Sequence, residues 1–143
     1  MYRLYNPENG EHLYTKDNNE KNVLLKRGWN YEGYSWIAYN NGDPIYRLFN
    51  PYSGEHHYTM DGNEKTYLSN TGWNYEGIGW YSNPTGDSCE ASVYRLFCPF
   101  TGEALKAHHY TMDENEKNHL ISQGWNYEGT CWISMHNVDK ATF

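Results

Sequence analysis

Three histidines, His12, His56 and His108, occupy matching places in three similar stretches of the chain, and Arg3, Arg47 and Arg95 each sit inside a Tyr-Arg-Leu run. Brought to one axis, three imidazoles could ligate Zn²⁺ with a position left open. Three guanidiniums there could hold a phosphate or carboxylate through forked donors. With an acid added, the cluster would be a small hydrolytic pocket for ester or phosphate bonds. The structural alternative needs no ligand. Each His hydrogen-bonds inside its own unit, and each Arg locks onto a repeated acid, either Glu11, Glu55 and Glu103 or Glu32, Glu76 and Glu128. An Arg between a ring and a leucine must be paired or face water. The structural reading is preferred, so no metal and no cofactor is expected.

His57 and His109 directly follow two of these histidines, where the first stretch has Leu13. Strand neighbours point to opposite faces, so a sequential His-His pair cannot act as one dyad. Asp17-x-Asn19-Glu20 and its copies at Asp61 and Asp113 are rich in oxygen, but a calcium loop needs 6–8 ligands. A helix N-cap with its Glu three residues on explains them more simply. There is no G-x-S-x-G elbow, no H-E-x-x-H and no repeated Cys–His nucleophile.

The richest chemistry is aromatic. The chain has 15 Tyr and 6 Trp among 143 residues, so rings must supply much of the core. In alternating strands one face of the aromatic set looks outward, where a ring can stack on a sugar beside hydrogen-bonding Asn, Glu or Arg. The candidates are Tyr14, Tyr31 and Trp36, then Tyr58, Tyr75 and Trp80, then Tyr110, Tyr127 and Trp132. Three copies would give avidity on a repetitive polymer.

These residues recur because the chain does. YRLYNPENGEHLYT, YRLFNPYSGEHHYT and YRLFCPFTGEALKAHHYT each lead through D-x-N-E-K to an identical GWNYEG, at 28–33, 72–77 and 124–129. The third copy carries the insertion ALKA. The units divide as 1–44, 45–92 and 93–143, one domain in all. Each reads as strand, Pro/Gly turn, strand, capped short helix and one or two strands broken at the Gly33 position, with Gly28, Gly72 and Gly124 closing the helices. Leu24, Leu68 and Leu120 are the shared apolar anchors of those helices. The expected fold is mostly β with one short helix per repeat, a three-fold pseudosymmetric closed ring resembling a three-bladed β-propeller. A β-trefoil is the alternative, although its units are all-β.

The formal net charge is -7 and the cations are scattered, which argues against nucleic acid and anionic membranes. No apolar run approaches the ~20 residues of a membrane span. No secretory signal is visible, and the chain opens directly on a repeat, as a domain of a longer or processed protein would. Cys89, Cys98 and Cys131 are an odd set without a metal motif, allowing at most one disulfide.

The motif Y-R-L-[YF]-[NC]-P-x-x-G-E…H-x-Y-T…D-x-N-E-K…G-W-N-Y-E-G-x-x-W resembles a repeat family of uncharacterised function. The family is found in secreted and surface proteins, mainly of Gram-positive bacteria, often beside wall-lytic or other extracellular enzyme domains. The resemblance implies an accessory module at the cell surface or outside it, directed at glycan or cell-wall polymer and accompanied by other domains. The expected function is therefore non-catalytic binding of such a polymer, one aromatic-polar site per repeat. The alternatives are the axial hydrolase and a structural spacer.

Overall fold

A computed structural model describes residues 1–100 and 107–136. Glu103, one expected partner of Arg95, lies outside the described residues. Each unit folds as two strands, a helix and a third strand. Unit 1 contains β1 (Tyr2–Tyr5), β2 (His12–Thr15), α1 (Asn18–Lys26) and β3 (Asn30–Tyr34). Unit 2 contains β4 (Asp43–Phe49), β5 (His56–Thr59), α2 (Gly62–Asn70) and β6 (Asn74–Ser82), and the first strands of units 2 and 3 begin two to three residues before the expected boundaries at 45 and 93. Unit 3 contains β7 (Glu90–Phe97), β8 (His108–Thr111), α3 (Glu114–Ser122) and β9 (Asn126–Met135). The three antiparallel sheets run β2-β1-β3, β5-β4-β6 and β8-β7-β9. The result is a mostly β, three-fold, propeller-like arrangement in which, among the described residues, no strand ladder merges the sheets into one. His12, His56 and His108 each pair with the last residue of the preceding strand, so ALKA is a local insertion and the units stay equivalent.

Local chemistry explains the repeat. Asp17, Asp61 and Asp113 are extended N-caps that accept from the backbone N–H two residues on. At the other end, Trp29, Trp73 and Trp125 donate their N–H groups to the carbonyls of Leu24, Leu68 and Leu120. Gly28, Gly72 and Gly124 take φ of 93°, 101° and 93°, as a Schellman ending requires. The helices contain no fully buried residue, so those leucines contribute a carbonyl and a half-buried side chain rather than a deep anchor. Gly33, Gly77 and Gly129 also have positive φ, but they do not break the last strand. The pairing register shifts beside them, and β6 and β9 bend onward for several residues.

The axis is built from rings. β2, β5 and β8 are edge strands whose free peptide groups face it, an arrangement that leaves N–H and C=O groups in need of partners. Tyrosines supply them in a closed cycle. The Tyr58 hydroxyl donates to the Tyr14 carbonyl at 3.1 Å and accepts from the Tyr14 N–H at 3.0 Å. The Tyr110 hydroxyl serves Tyr58 in the same way, and the Tyr14 hydroxyl serves Tyr110. Behind this ring lie Trp36, Trp80 and Trp132, with centroids 5.6–6.0 Å apart. Tyr14 stacks on Trp36 and Tyr110 on Trp132. Ile45 and Val93 complete the core, with Met1 packed against it. Short bridges at Ile37–Met135 and Tyr39–Tyr81 tie the first unit to the other two.

Candidate functional site

Six of the nine aromatic candidates are therefore core. Tyr14, Tyr58 and Tyr110 are no more than 1% exposed, and Trp36, Trp80 and Trp132 no more than 3%. Their rings and the tyrosine hydroxyls are engaged with neighbouring units, so none offers a face to a sugar. The other three are on the surface. Tyr31, Tyr75 and Tyr127 are 42%, 45% and 46% exposed.

Each surface tyrosine has the same company. Tyr31 meets Tyr2 edge to face at 6.1 Å, Tyr75 meets Tyr46 at 6.0 Å, and Tyr127 meets Tyr94 at 6.1 Å. A lysine from the first turns of the helix reaches over both rings in every unit. Lys21 Nζ lies 4.7 and 5.4 Å from the two centroids, Lys65 4.6 and 5.1 Å, and Lys117 4.5 and 5.5 Å. Unit 1 adds a third ring, Tyr34, 5.3 Å from Tyr2. Sequence reasoning passed over these lysines and first-strand tyrosines. The signal was present, because N-E-K follows the cap unchanged in all three units.

The arginines and histidines do not converge on the axis. They sit at the three junctions between units. Arg3 binds Glu116 of unit 3, Arg47 binds Glu20 of unit 1, and Arg95 binds Glu64 of unit 2, each through two N–H groups. Each Arg also holds an acid of its own unit, Glu32, Glu76 or Glu128, at 2.8–3.1 Å. The expected pairing with Glu32, Glu76 and Glu128 is present, but the acid that carries the lock to the neighbouring unit was not anticipated. Glu20, Glu64 and Glu116 were read as reciprocal caps, whereas the Asp caps the helix and frees the Glu to reach the neighbour. With two carboxylates on each guanidinium, none of these three arginines is left to clamp an anionic substrate.

The histidines are equally committed. The Nε2 atoms of His12, His56 and His108 lie 3.0, 3.3 and 3.0 Å from Glu32, Glu76 and Glu128. On the other side, His56 faces Glu11 and His108 faces Glu55, each at 2.5 Å from Nδ1, and both acids also accept the backbone N–H of that His. Glu11 and Glu55 are thus buried partners of histidine rather than of arginine. His57 and His109 use Nε2 on Glu64 and Glu116, each at 2.7 Å.

The electrostatics follow. Burial would push Glu64 and Glu116 up, but the adjoining His and Arg hold both well below the usual carboxylate range. The hydrogen bond from His56, aided by Arg47 and opposed by burial, takes Glu76 down to about 2. Burial opposes the charge on His108, yet its bonds to Glu128 and Glu55 raise it to about 9. Burial dominates at His57 and His109 and lowers both. Clefts of about 460, 240 and 360 Å³ open at the three junctions, each lined by an Arg, the cap Asp and the locking Glu.

His12, His56 and His108 therefore form no common metal site. Among the described residues, the metal-competent group is Glu55 with His57 and His108. All three cysteines are free thiols, with burial pushing Cys131 up to about 12. No described helix is long and apolar enough to cross a membrane.

The model of a family described as a domain of unknown function, DUF5648, matches residues 1–135, and the chain belongs to that family. No curated protein and no solved structure matches it.

Proposed function

We propose that this DUF5648 domain is a non-catalytic module that binds a glycan or cell-wall polymer at the cell surface or outside it, through three equivalent surface sites. Each site consists of two tyrosines and a lysine: Tyr2, Tyr31 and Lys21; Tyr46, Tyr75 and Lys65; Tyr94, Tyr127 and Lys117. The observation that carries the reading is their threefold recurrence on the exposed side of a fold that already has its core rings elsewhere. A solvent-facing tyrosine pair is a platform for the apolar face of a pyranose, and the ammonium beside it can bond hydroxyl or acidic substituents. Three shallow sites on one rigid ring gain avidity on a repeating polymer without any one being strong. Saturation of every junction arginine by two carboxylates counts against the hydrolase alternative.

The test is depletion of the domain from solution by purified Gram-positive cell walls, read by tryptophan fluorescence, with soluble sugars as competitors. Sugar-reversible depletion is expected. Tyr31→Ala, Tyr75→Ala and Tyr127→Ala should each weaken it, and the triple variant should abolish it while remaining folded. Absence of binding to walls and to a glycan panel at millimolar concentration would end the reading.

A further inference from the structure

The three junctions share one backbone but not one chemistry. Where units 2 and 3 meet, Glu55 and His57 face His108, and one donor atom from each lies within 4.8 Å of the other two. The His57 and His108 rings are 4.6 Å apart and nearly perpendicular. Where units 1 and 2 meet, Leu13 replaces the first histidine, so Glu11 and His56 remain alone. Where units 3 and 1 meet, Ala107 stands at the position of Glu11 and Glu55, as its carbonyl bond to the Cys98 N–H shows. His109 and His12 still touch there, with centroids 4.6 Å apart, but among the described residues no acid completes a donor set with them.

We propose that Glu55, His57 and His108 bind one divalent transition-metal ion, zinc being the best match, which clasps unit 2 to unit 3. Two imidazoles and a carboxylate are an established ligand set for Zn²⁺, which imposes little geometry of its own. The surroundings are those of a prepared site. His57 presents Nε2 to Glu64 and His108 presents Nε2 to Glu128. The Nδ1 atoms face inward, His108 Nδ1 against Glu55 at 2.5 Å and His57 Nδ1 toward the Tyr110 hydroxyl, and carboxylates behind metal-binding imidazoles fix tautomer and ring orientation in this way. Arg95 fastens both carboxylates, to Glu64 at 2.8 Å and to Glu128 at 2.9 Å. The Tyr110 hydroxyl lies 3.3 Å from His57 Nδ1. A tetrahedral site with bonds of ~2.0–2.1 Å places its donors about 3.3 Å apart, so binding opens the 2.5 Å contact between His108 and Glu55 while His57 completes the set from within 4.8 Å. The Glu11–His56 pair shows that a carboxylate–imidazole contact can serve structure alone. His57 distinguishes this junction from that of units 1 and 2, where Leu13 stands in its place, and the test turns on it. The inference is independent of the glycan reading.

The chain, stripped with chelator, is titrated calorimetrically with Zn²⁺, and with Co²⁺ followed by visible absorption. One ion per chain is expected. His57→Leu should abolish binding while leaving the fold intact, because unit 1 already carries leucine at that place. If that variant fails to fold by circular dichroism, Glu55→Gln takes its role. Leu13→His completes the set with Glu11 and His56 and should raise the stoichiometry from one to two. Glu128→Gln, which acts through His108, should weaken affinity about 10–100-fold. No binding by the native chain, binding that survives loss of His57 or Glu55, or a stoichiometry still at one in L13H would overturn the proposal.

Discussion

Replacing Tyr58 by Phe removes one oxygen and nothing else from the axis. The ring keeps its edge-to-face contacts with Tyr14 at 5.8 Å and Tyr110 at 5.3 Å. What it loses is the hydroxyl that satisfies both the N–H and the C=O of Tyr14. These groups sit on the axial edge of β2, in a buried setting. An orphaned buried polar group costs ~1–3 kcal/mol. Two of them, partly relieved by relaxation, put the loss at ~2–4 kcal/mol, a large share of the ~5–15 kcal/mol that holds a domain folded. For a chain of this size the thermal midpoint should fall by about 5–15 °C. The assay is urea unfolding followed by tryptophan fluorescence, with Tyr75→Phe as the exposed control, expected within about 0.5 kcal/mol of native. Because the ring is closed, Tyr14→Phe and Tyr110→Phe should cost similar amounts. A loss below about 0.5 kcal/mol in all three would show that the hydroxyls do not hold the units together, and the account of the axis would fall.

Arg95→Ala leaves Glu64 and Glu128 without their shared cation. At this partly exposed junction we expect a loss of ~1–3 kcal/mol, and Arg95→Lys should recover less than half of it because the fork is gone. In chelator, the raised values of His56 and His108 make their stabilisation complete below the unfolded pKa of about 6.5 and lost as pH rises, for His108 through about 9. Unfolding midpoints should fall between pH 6.5 and 9, by ~3 kcal/mol at most from His108; a flat profile would contradict the clamp. The depressed carboxylates Glu64, Glu76 and Glu116 act in the opposite sense. Their contribution is present above the unfolded value near 4.5 and lost as pH falls, for Glu76 through about 2, so acid titration should unfold the ring in that window. Lowered His57 and His109 add to the loss on the acid side below about 6.5. Gly33→Ala meets no neighbour within 4 Å yet must adopt φ of 89°, so unfolding should show a cost of ~1 kcal/mol from backbone strain alone.

What lay inside one repeat was legible in the sequence. Asp caps, Gly endings, Pro/Gly turns and alternating strands depend on neighbours a few residues away, and D-x-N-E and GWNYEG state them directly. The triplication also implied a ring, since a single unit cannot bury its own face. The direction in which each aromatic side chain points was decided by packing. Alternation divides a strand into two faces without saying which one is inside. Tyr14 and Tyr31 read alike as sequence, yet one closes the axis and the other meets solvent.

The chemistry between units was less accessible still. His57 and His108 are separated by 51 positions and are not neighbours in any local pattern, and the argument that adjacent histidines face apart holds within each strand. Across the junction the same residues meet. Glu64 likewise carries the sequence signature of a cap while bonding an arginine of the next unit. The repeat fixed the residue types and their places along each unit. Only closure of the ring set unit 2 against unit 3, and so brought Glu55, His57 and His108 together, the one such donor set among the described residues.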